Sequence, residues 1–127
     1  ICSAGIGDHG SELHIFFSEN LKSNNWHSIK SGNPVIFDSL KARNGGMILR
    51  NNDVYRINQV QKKNNYGASF EINKVNYLSA EKFSETRIST TNPNFKKDIV
   101  GTHHFSANDK VAVVDYRKKN KPLGDSK

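Results

Sequence analysis

Residues 47–57 read Met-Ile-Leu-Arg-Asn-Asn-Asp-Val-Tyr-Arg-Ile. Two short runs rich in aliphatic and aromatic residues, Met47-Ile48-Leu49-Arg50 and Val54-Tyr55-Arg56-Ile57, flank Asn51-Asn52-Asp53. Such runs pack well on a pleated surface. Asn and Asp tolerate left-handed backbone and bond their own main chain, so they favour turns. The stretch is therefore expected to be a β-hairpin closed by a three-residue Asn/Asp turn.

The same grammar extends in both directions. Downstream, Ala68-Ser69-Phe70-Glu71-Ile72 alternates with period two, as a half-buried strand does. Its phase slips near Lys74-Val75, where a bulge is expected. Residues 78–83 admit either a turn or a helical turn, because Ser79-Ala80-Glu81-Lys82 suits both. Asn92-Pro93-Asn94 is a loop, and residues 100–105 and 111–116 read as paired strands around Ser106-Ala107-Asn108-Asp109. Upstream lie an apolar run at 13–17, polar residues 18–25, Trp26, a turn at Ser31-Gly32-Asn33-Pro34, then Val35-Ile36-Phe37 and Asn44-Gly45-Gly46. No amphipathic helix longer than two turns and no βαβ alternation is evident. The fold class is all-β and antiparallel, which leaves a sandwich, a barrel or a propeller.

The 127 residues suit one domain, expected over 1–117, with a polar, frayed tail over 118–127. Hydrophobic residues make up 35%. Counting the nine glycines raises this to roughly 42%, against a globular average of about 45–50% on that definition. The core must be thin, and seven Phe, four Tyr and one Trp supply much of it. Net charge is +7 with a pI near 9.6. The basic clusters at Lys62-Lys63, Lys96-Lys97 and Arg117-Lys118-Lys119 come with no Arg-rich helix, zinc spacing or aromatic-basic RNA-binding signature. They read as a solvated surface, and no nucleic-acid partner is expected. The single cysteine, Cys2, allows no internal disulfide. No apolar run reaches the roughly 18–20 residues of a membrane span, and no signal peptide is visible, so the compartment is left open. The chain begins at Ile1 in what already reads as strand and turn, the pattern expected of a piece of a longer protein.

Several short motifs occur in a telling order. They are Trp26 followed by Asn33-Pro34-Val35; Ala42-Arg43-Asn44-Gly45-Gly46; Val54-Tyr55-Arg56-Ile57-Asn58-Gln59; Tyr66-Gly67 and the stretch ending at Glu85; and Gly101-Thr102-His103 with Val113-Val114-Asp115. In this order the chain resembles the N-terminal five-bladed β-propeller domain of glucosamine inositolphosphorylceramide transferases and related bacterial polysaccharide-biosynthesis proteins. It is similar, more distantly, to arabinanase- and fructosidase-type propellers. Lys30-Ser31-Gly32 stand where that family has a His-Pro pair, and Phe83 where it often has Tyr. The resemblance implies an antiparallel propeller fragment of about three blades, completed by the remaining blades of a parent protein, with no counterpart of the transferase's separate glycosyltransferase domain. It implies a carbohydrate or nucleotide-sugar ligand, glycosyltransferase-associated recognition or processing of glycans, and no cofactor.

Under that resemblance Arg43, Arg56, Gln59, Glu85 and His103 would line a polar funnel. A guanidinium fork grips hydroxyls or phosphate bidentately, but a salt bridge between blades would place the same two arginines equally well. On an extended strand Tyr55 and Gln59 share a face and Arg56 points to the other. Glu85 is the candidate catalytic acid and Asp115 the second carboxylate to watch, since glycosidic cleavage needs two. The alternatives are an exposed Glu and a turn-proximal Asp. His103-His104 face opposite sides of a strand, and His9, His14 and His27 have no ligand spacing, so no metal site is expected. Trp26 is read as core between blades in preference to a sugar-stacking ring. Beside carbohydrate binding stand two other readings: a glycoside hydrolase of the propeller type, and a structural or interaction module.

Overall fold

The computed structural model describes residues 1–4, 10–62 and 65–119. Within them the chain is all-β: thirteen strands in antiparallel ladders, and no helix. It therefore holds no helix long and apolar enough to cross a membrane. The centre is a four-stranded meander of β6 (Asn44–Arg50), β7 (Asp53–Lys62), β8 (Asn65–Leu78) and β9 (Phe83–Thr91), paired in sequence order. Before it come β1 (Cys2–Ala4), β2 (Glu12–His14) and β5 (Ile36–Phe37) in one sheet, and β3 (Phe16–Phe17) with β4 (His27–Ser28) in another. After it, β10 (Ile99–Gly101) pairs with β13 (Arg117–Lys118), and β11 (Phe105–Ala107) with β12 (Ala112–Val114). Among the described residues the ladders do not form a closed barrel or propeller.

The hairpin expected from residues 47–57 is present, with a tighter turn. Arg50 pairs directly with Asp53, and only Asn51 and Asn52 span the gap, at φ of 50° and 64°. Two consecutive left-handed residues define the turn whose twist matches that of the flanking strands, and Asn is among the few residues that accept it. Asp53 belongs to the strand and ion-pairs with Lys74 across the sheet at 2.8 Å.

Two bulges set the β8–β9 register. Val75 pairs with Glu85 and Tyr77 with Ser84, which leaves Asn76 extra on β8, close to the expected slip. Ile72 pairs with Ser89 and Asn73 with Arg87, which leaves Ile88 extra on β9. Residues 79–82 form a hairpin turn between β8 and β9, resolving the turn-or-helix choice in favour of the turn. The expected pairing of 100–105 with 111–116 divides in two. Residues 102–104 leave the ladder where their N–H groups turn towards Gly67 and Asp115, so β11–β12 is a separate hairpin. Residues 120–127 of the expected tail lie outside the described residues, while 117–118 are strand.

The core is thin, as the composition requires, and unusually polar. Among the described residues, nine buried apolar residues are accompanied by seven buried polar or charged ones, so hydrogen bonds and not apolar area alone must hold the centre together. Directly opposed pairs show why. Ile57–Ile72 and Gln59–Phe70 lie on one face of the β7–β8 ladder, where Phe70 stacks on Phe105 with centroids 5.7 Å apart. Arg56–Asn73, Asn58–Glu71 and Val60–Ser69 lie on the other. Leu13, Ile15, Ile29 and Ala42 are the buried apolar residues of the N-terminal part. Trp26 does not join them. Ile15 and Ile29 meet across the base of the β3–β4 hairpin, and Trp26, one position beyond the last paired residue, is 46% exposed. The expectation of a core tryptophan is corrected accordingly.

Candidate functional site

The polar face of the central sheet is roofed by residues 38–42. Asp38 organises this segment: its carboxylate accepts from the Leu40 N–H at 2.8 Å and its carbonyl from the Ala42 N–H at 2.8 Å. The turn aims two main-chain carbonyls at the sheet. Lys41 O accepts from Arg56 Nη2 at 2.9 Å, and Leu40 O accepts from Asn58 Nδ2 at 3.0 Å. Buried Ala42 fixes the far end.

Beneath this roof the side chains form a connected network. Arg56, fully buried, donates Nε to Glu85 Oε2 at 2.7 Å and Nη2 to Glu85 Oε1 at 2.6 Å. This is the bidentate fork geometry in which guanidinium binds carboxylate most strongly. Asn73 Nδ2 donates to Asn58 Oδ1 at 2.7 Å and to Arg56 O at 3.2 Å. Arg56 Nη1 is buried and has no acceptor among the described residues.

Glu85, its side chain 11% exposed, leads from the network to an open groove of about 550 Å³. Asp38, Lys41, Glu71, Asn73, Ser84 and Arg87 give the groove its polar walls, with Val35, Ile36 and Phe83 as apolar ones. The β9 bulge at Ile88 shapes the site. By removing one residue from the alternation it puts Arg87 and Thr90, three apart, on the same face. Both then reach Glu71: Arg87 Nη1 lies 3.1 Å from Oε1, and the Thr90 hydroxyl donates to the same oxygen at 3.4 Å.

The five residues expected to share a funnel are distributed over three places. Arg56 and Glu85 are brought together, by each other. Gln59 points to the opposite face of β7, as strand alternation requires, and accepts from Gln61 Nε2 at 3.2 Å. Its N–H donates to Arg43 O at 2.9 Å, so the contact between these two residues runs through main chain. His103 lines a separate small cavity of about 120 Å³ with Gly67, Thr102, Asp115 and Arg117, and that cavity shares no residue with the groove.

At this second place Asp115 is a main-chain clamp. Its Oδ1 accepts from the N–H groups of His103 at 3.0 Å and His104 at 2.8 Å, and its carbonyl accepts from the Thr102 hydroxyl at 2.7 Å. Its other oxygen pairs with His103 Nδ1. The His103 ring packs on Gly67, where a Cβ would stand 2.9 Å from Cδ2.

Four groups of the site were not picked out from the sequence: Asn58, Glu71, Asn73 and Arg87. The signal was present in the spacing of Arg56-x-Asn58 and Glu71-x-Asn73, polar residues two apart on adjacent strands, hence on one face. No three His, Cys, Asp or Glu side chains among the described residues are grouped to hold a metal ion. No protein-family model, no curated protein and no solved structure matches the chain.

Proposed function

We propose that the chain is a carbohydrate-binding part of a β-propeller, associated with glycan or glycolipid assembly, and that the groove on the polar face of the central sheet takes the sugar. The observation that carries this reading is the composition of the groove wall. Carboxylate, amide and guanidinium groups of Glu71, Asn73 and Arg87 stand beside the apolar edge of Phe83. A pyranose presents the complementary pattern, hydroxyls around its rim and C–H groups on its faces, and pockets of this kind take orientation from a few convergent polar groups. Arg56 supports the reading indirectly, by holding Glu85 at the groove with both oxygens fixed. The four-stranded meander supports the propeller part, since a blade is a sheet of four sequential antiparallel strands.

A test is titration of the ¹⁵N-labelled chain with glucosamine, inositol, arabinose, fructose and a UDP-hexose, following amide shifts. Saturable shifts confined to β8, β9 and residues 35–41, abolished by Glu71→Gln, would bear the proposal out. Absence of saturation at any sugar, or shifts that survive Glu71→Gln, would remove it.

A hydrolase reading draws on one observation, that Glu71 and Glu85 line the same groove. Against it, both carboxylates already accept from arginine N–H groups, whereas an acid–nucleophile pair needs one of them free to carry and deliver a proton. Turnover of aryl glycosides that vanishes in both Glu71→Gln and Glu85→Gln would decide for hydrolysis.

A further inference from the structure

The groove on the polar face of the central sheet carries its charge unevenly. Three carboxylates line it, Asp38, Glu71 and Glu85, together with two cations, Lys41 and Arg87. Each carboxylate is set against a cation: Asp38 Oδ2 against Lys41 Nζ at 3.8 Å, Glu71 Oε1 against Arg87 Nη1 at 3.1 Å, and Glu85 Oε1 against Arg56 Nη2 at 2.6 Å. The third cation, Arg56, is fully buried and is not part of the groove wall. A ligand therefore meets three carboxylates and two cations.

Depth separates the two signs further. The Lys41 and Arg87 side chains are 59% and 62% exposed, where water screens them. The Glu71 and Glu85 side chains are only 9% and 11% exposed, and Asn73 on the same wall is buried. The hydrogen-bonding capacity left over at this depth is for accepting. Glu71 Oε1 already takes Arg87 and Thr90, while Oε2 accepts from no group among the described residues. Asn73 spends Nδ2 on Asn58 Oδ1 and Arg56 O, and its Oδ1 has no donor among the described residues. Arg56 O can only accept, which fixes the way this amide faces.

We infer that the groove takes an uncharged saccharide through its hydroxyl protons and rejects the same sugar bearing phosphate, so that in glycan assembly it holds an acceptor sugar and not a nucleotide-sugar donor. The inference rests on the carbohydrate reading of the groove above. A hydroxyl supplies the proton that Glu71 Oε2 and Asn73 Oδ1 lack, and its oxygen still accepts from Ser84 or Arg87. Phosphate oxygens accept and carry negative charge, so at these two atoms they find no hydrogen bond and repel a carboxylate. Little water reaches Glu71 and Glu85, so the repulsion is weakly screened. A phosphate drawn to Arg87 or Lys41 shares that cation with Glu71 or Asp38, and repulsion from the carboxylate offsets the attraction.

The test is amide-shift titration of the ¹⁵N-labelled chain with matched pairs: arabinose and arabinose 5-phosphate, fructose and fructose 6-phosphate, glucose and UDP-glucose, each at about 50 and 200 mM salt. At least one free sugar is expected to saturate shifts in β8, β9 and residues 35–41, with its phosphorylated partner binding about tenfold more weakly or worse. The affinity of that free sugar is expected to change by less than about twofold between the two salt concentrations, since it forms no ion pair. A phosphorylated member that binds the same residues as tightly as its free sugar, or more tightly, would overturn the inference and leave the groove a carbohydrate site. No saturation by either member of any pair would remove the carbohydrate reading, and the inference with it.

Discussion

Arg56 is the residue on which the centre depends, because it is a charge with no exposure to water. Its two hydrogen bonds to Glu85 and one to Lys41 O replace part of its hydration, and without Arg56 the Glu85 carboxylate would be left largely buried and unpaired. Breaking a buried pair from one side costs about 3–5 kcal/mol, whereas replacing both partners by apolar groups of similar size is often close to neutral. Arg56→Met is therefore expected to destabilise the chain by about 3–5 kcal/mol, Glu85→Met by a comparable amount, and the double variant by much less than their sum. Urea denaturation of the four proteins checks this, and additive losses would show that the pair is not coupled. The sequence made Arg56 conspicuous as one of few arginines among many lysines, and strand alternation correctly separated it from Gln59. What it acts upon was not legible, since the partner lies 29 residues away across two strands.

At the scale of elements, local chemistry was readable and register was not. Asn51-Asn52 announced a hairpin because so few residue types accept the backbone it needs. At Asn52, φ of 64° costs an L-residue without a short polar side chain roughly 1–2 kcal/mol. Asn52→Ala should lower stability by about 1 kcal/mol, and Asn52→Gly should be neutral or slightly stabilising. Equal midpoints in denaturant for Ala and Gly would contradict the turn. Gly67 carries two constraints at once, φ of 64° and a His103 ring whose nearest atom would lie 2.9 Å from a Cβ. Gly67→Ala is thus expected to cost more than Asn52→Ala, about 2–3 kcal/mol from strain plus overpacking, and to shift the His103 ring resonances. Wild-type ring shifts in that variant would mean that the contact gives way without displacing the ring. The bulges explain the rest of the gap between sequence and site. One extra residue at Ile88 changes which side chains share a face, and a bulge on an alternating strand leaves its phase, but not its partner, visible in the sequence. Arg87 was invisible as a site residue for that reason. Glu71 and Asn73 were passed over because polar residues alternating with Phe70 and Ile72 look like a solvent face, until residues 38–42 are seen to cover them.

For the whole molecule, the sequence conveyed the class, all-β and antiparallel with a thin core, because composition and period survive averaging over the chain. The division into one large sheet and several two- or three-stranded ladders depends on contacts between distant segments. It predicts an uneven distribution of stability. β7 has its middle buried from Arg56 to Asn58, with strands on both sides and covering segments on both faces. β12 is exposed along its length and β11 is only partly buried, the contact of Phe105 with Phe70 apart. An isolated two-stranded ladder is at best marginally stable in water, so the β11–β12 hairpin should open without disturbing the central sheet. Native-state hydrogen exchange is expected to show the slowest amides at residues 56–60 and 69–73, and fast exchange at 105–107 and 112–114. Phe70→Ala, which removes the stacked partner, should cost about 3–5 kcal/mol and accelerate the hairpin further. If the hairpin amides exchange as slowly as those of β7, the flanking ladders and the central sheet unfold as one unit. The polar network under residues 38–42 would then stabilise the entire chain and not the central sheet alone.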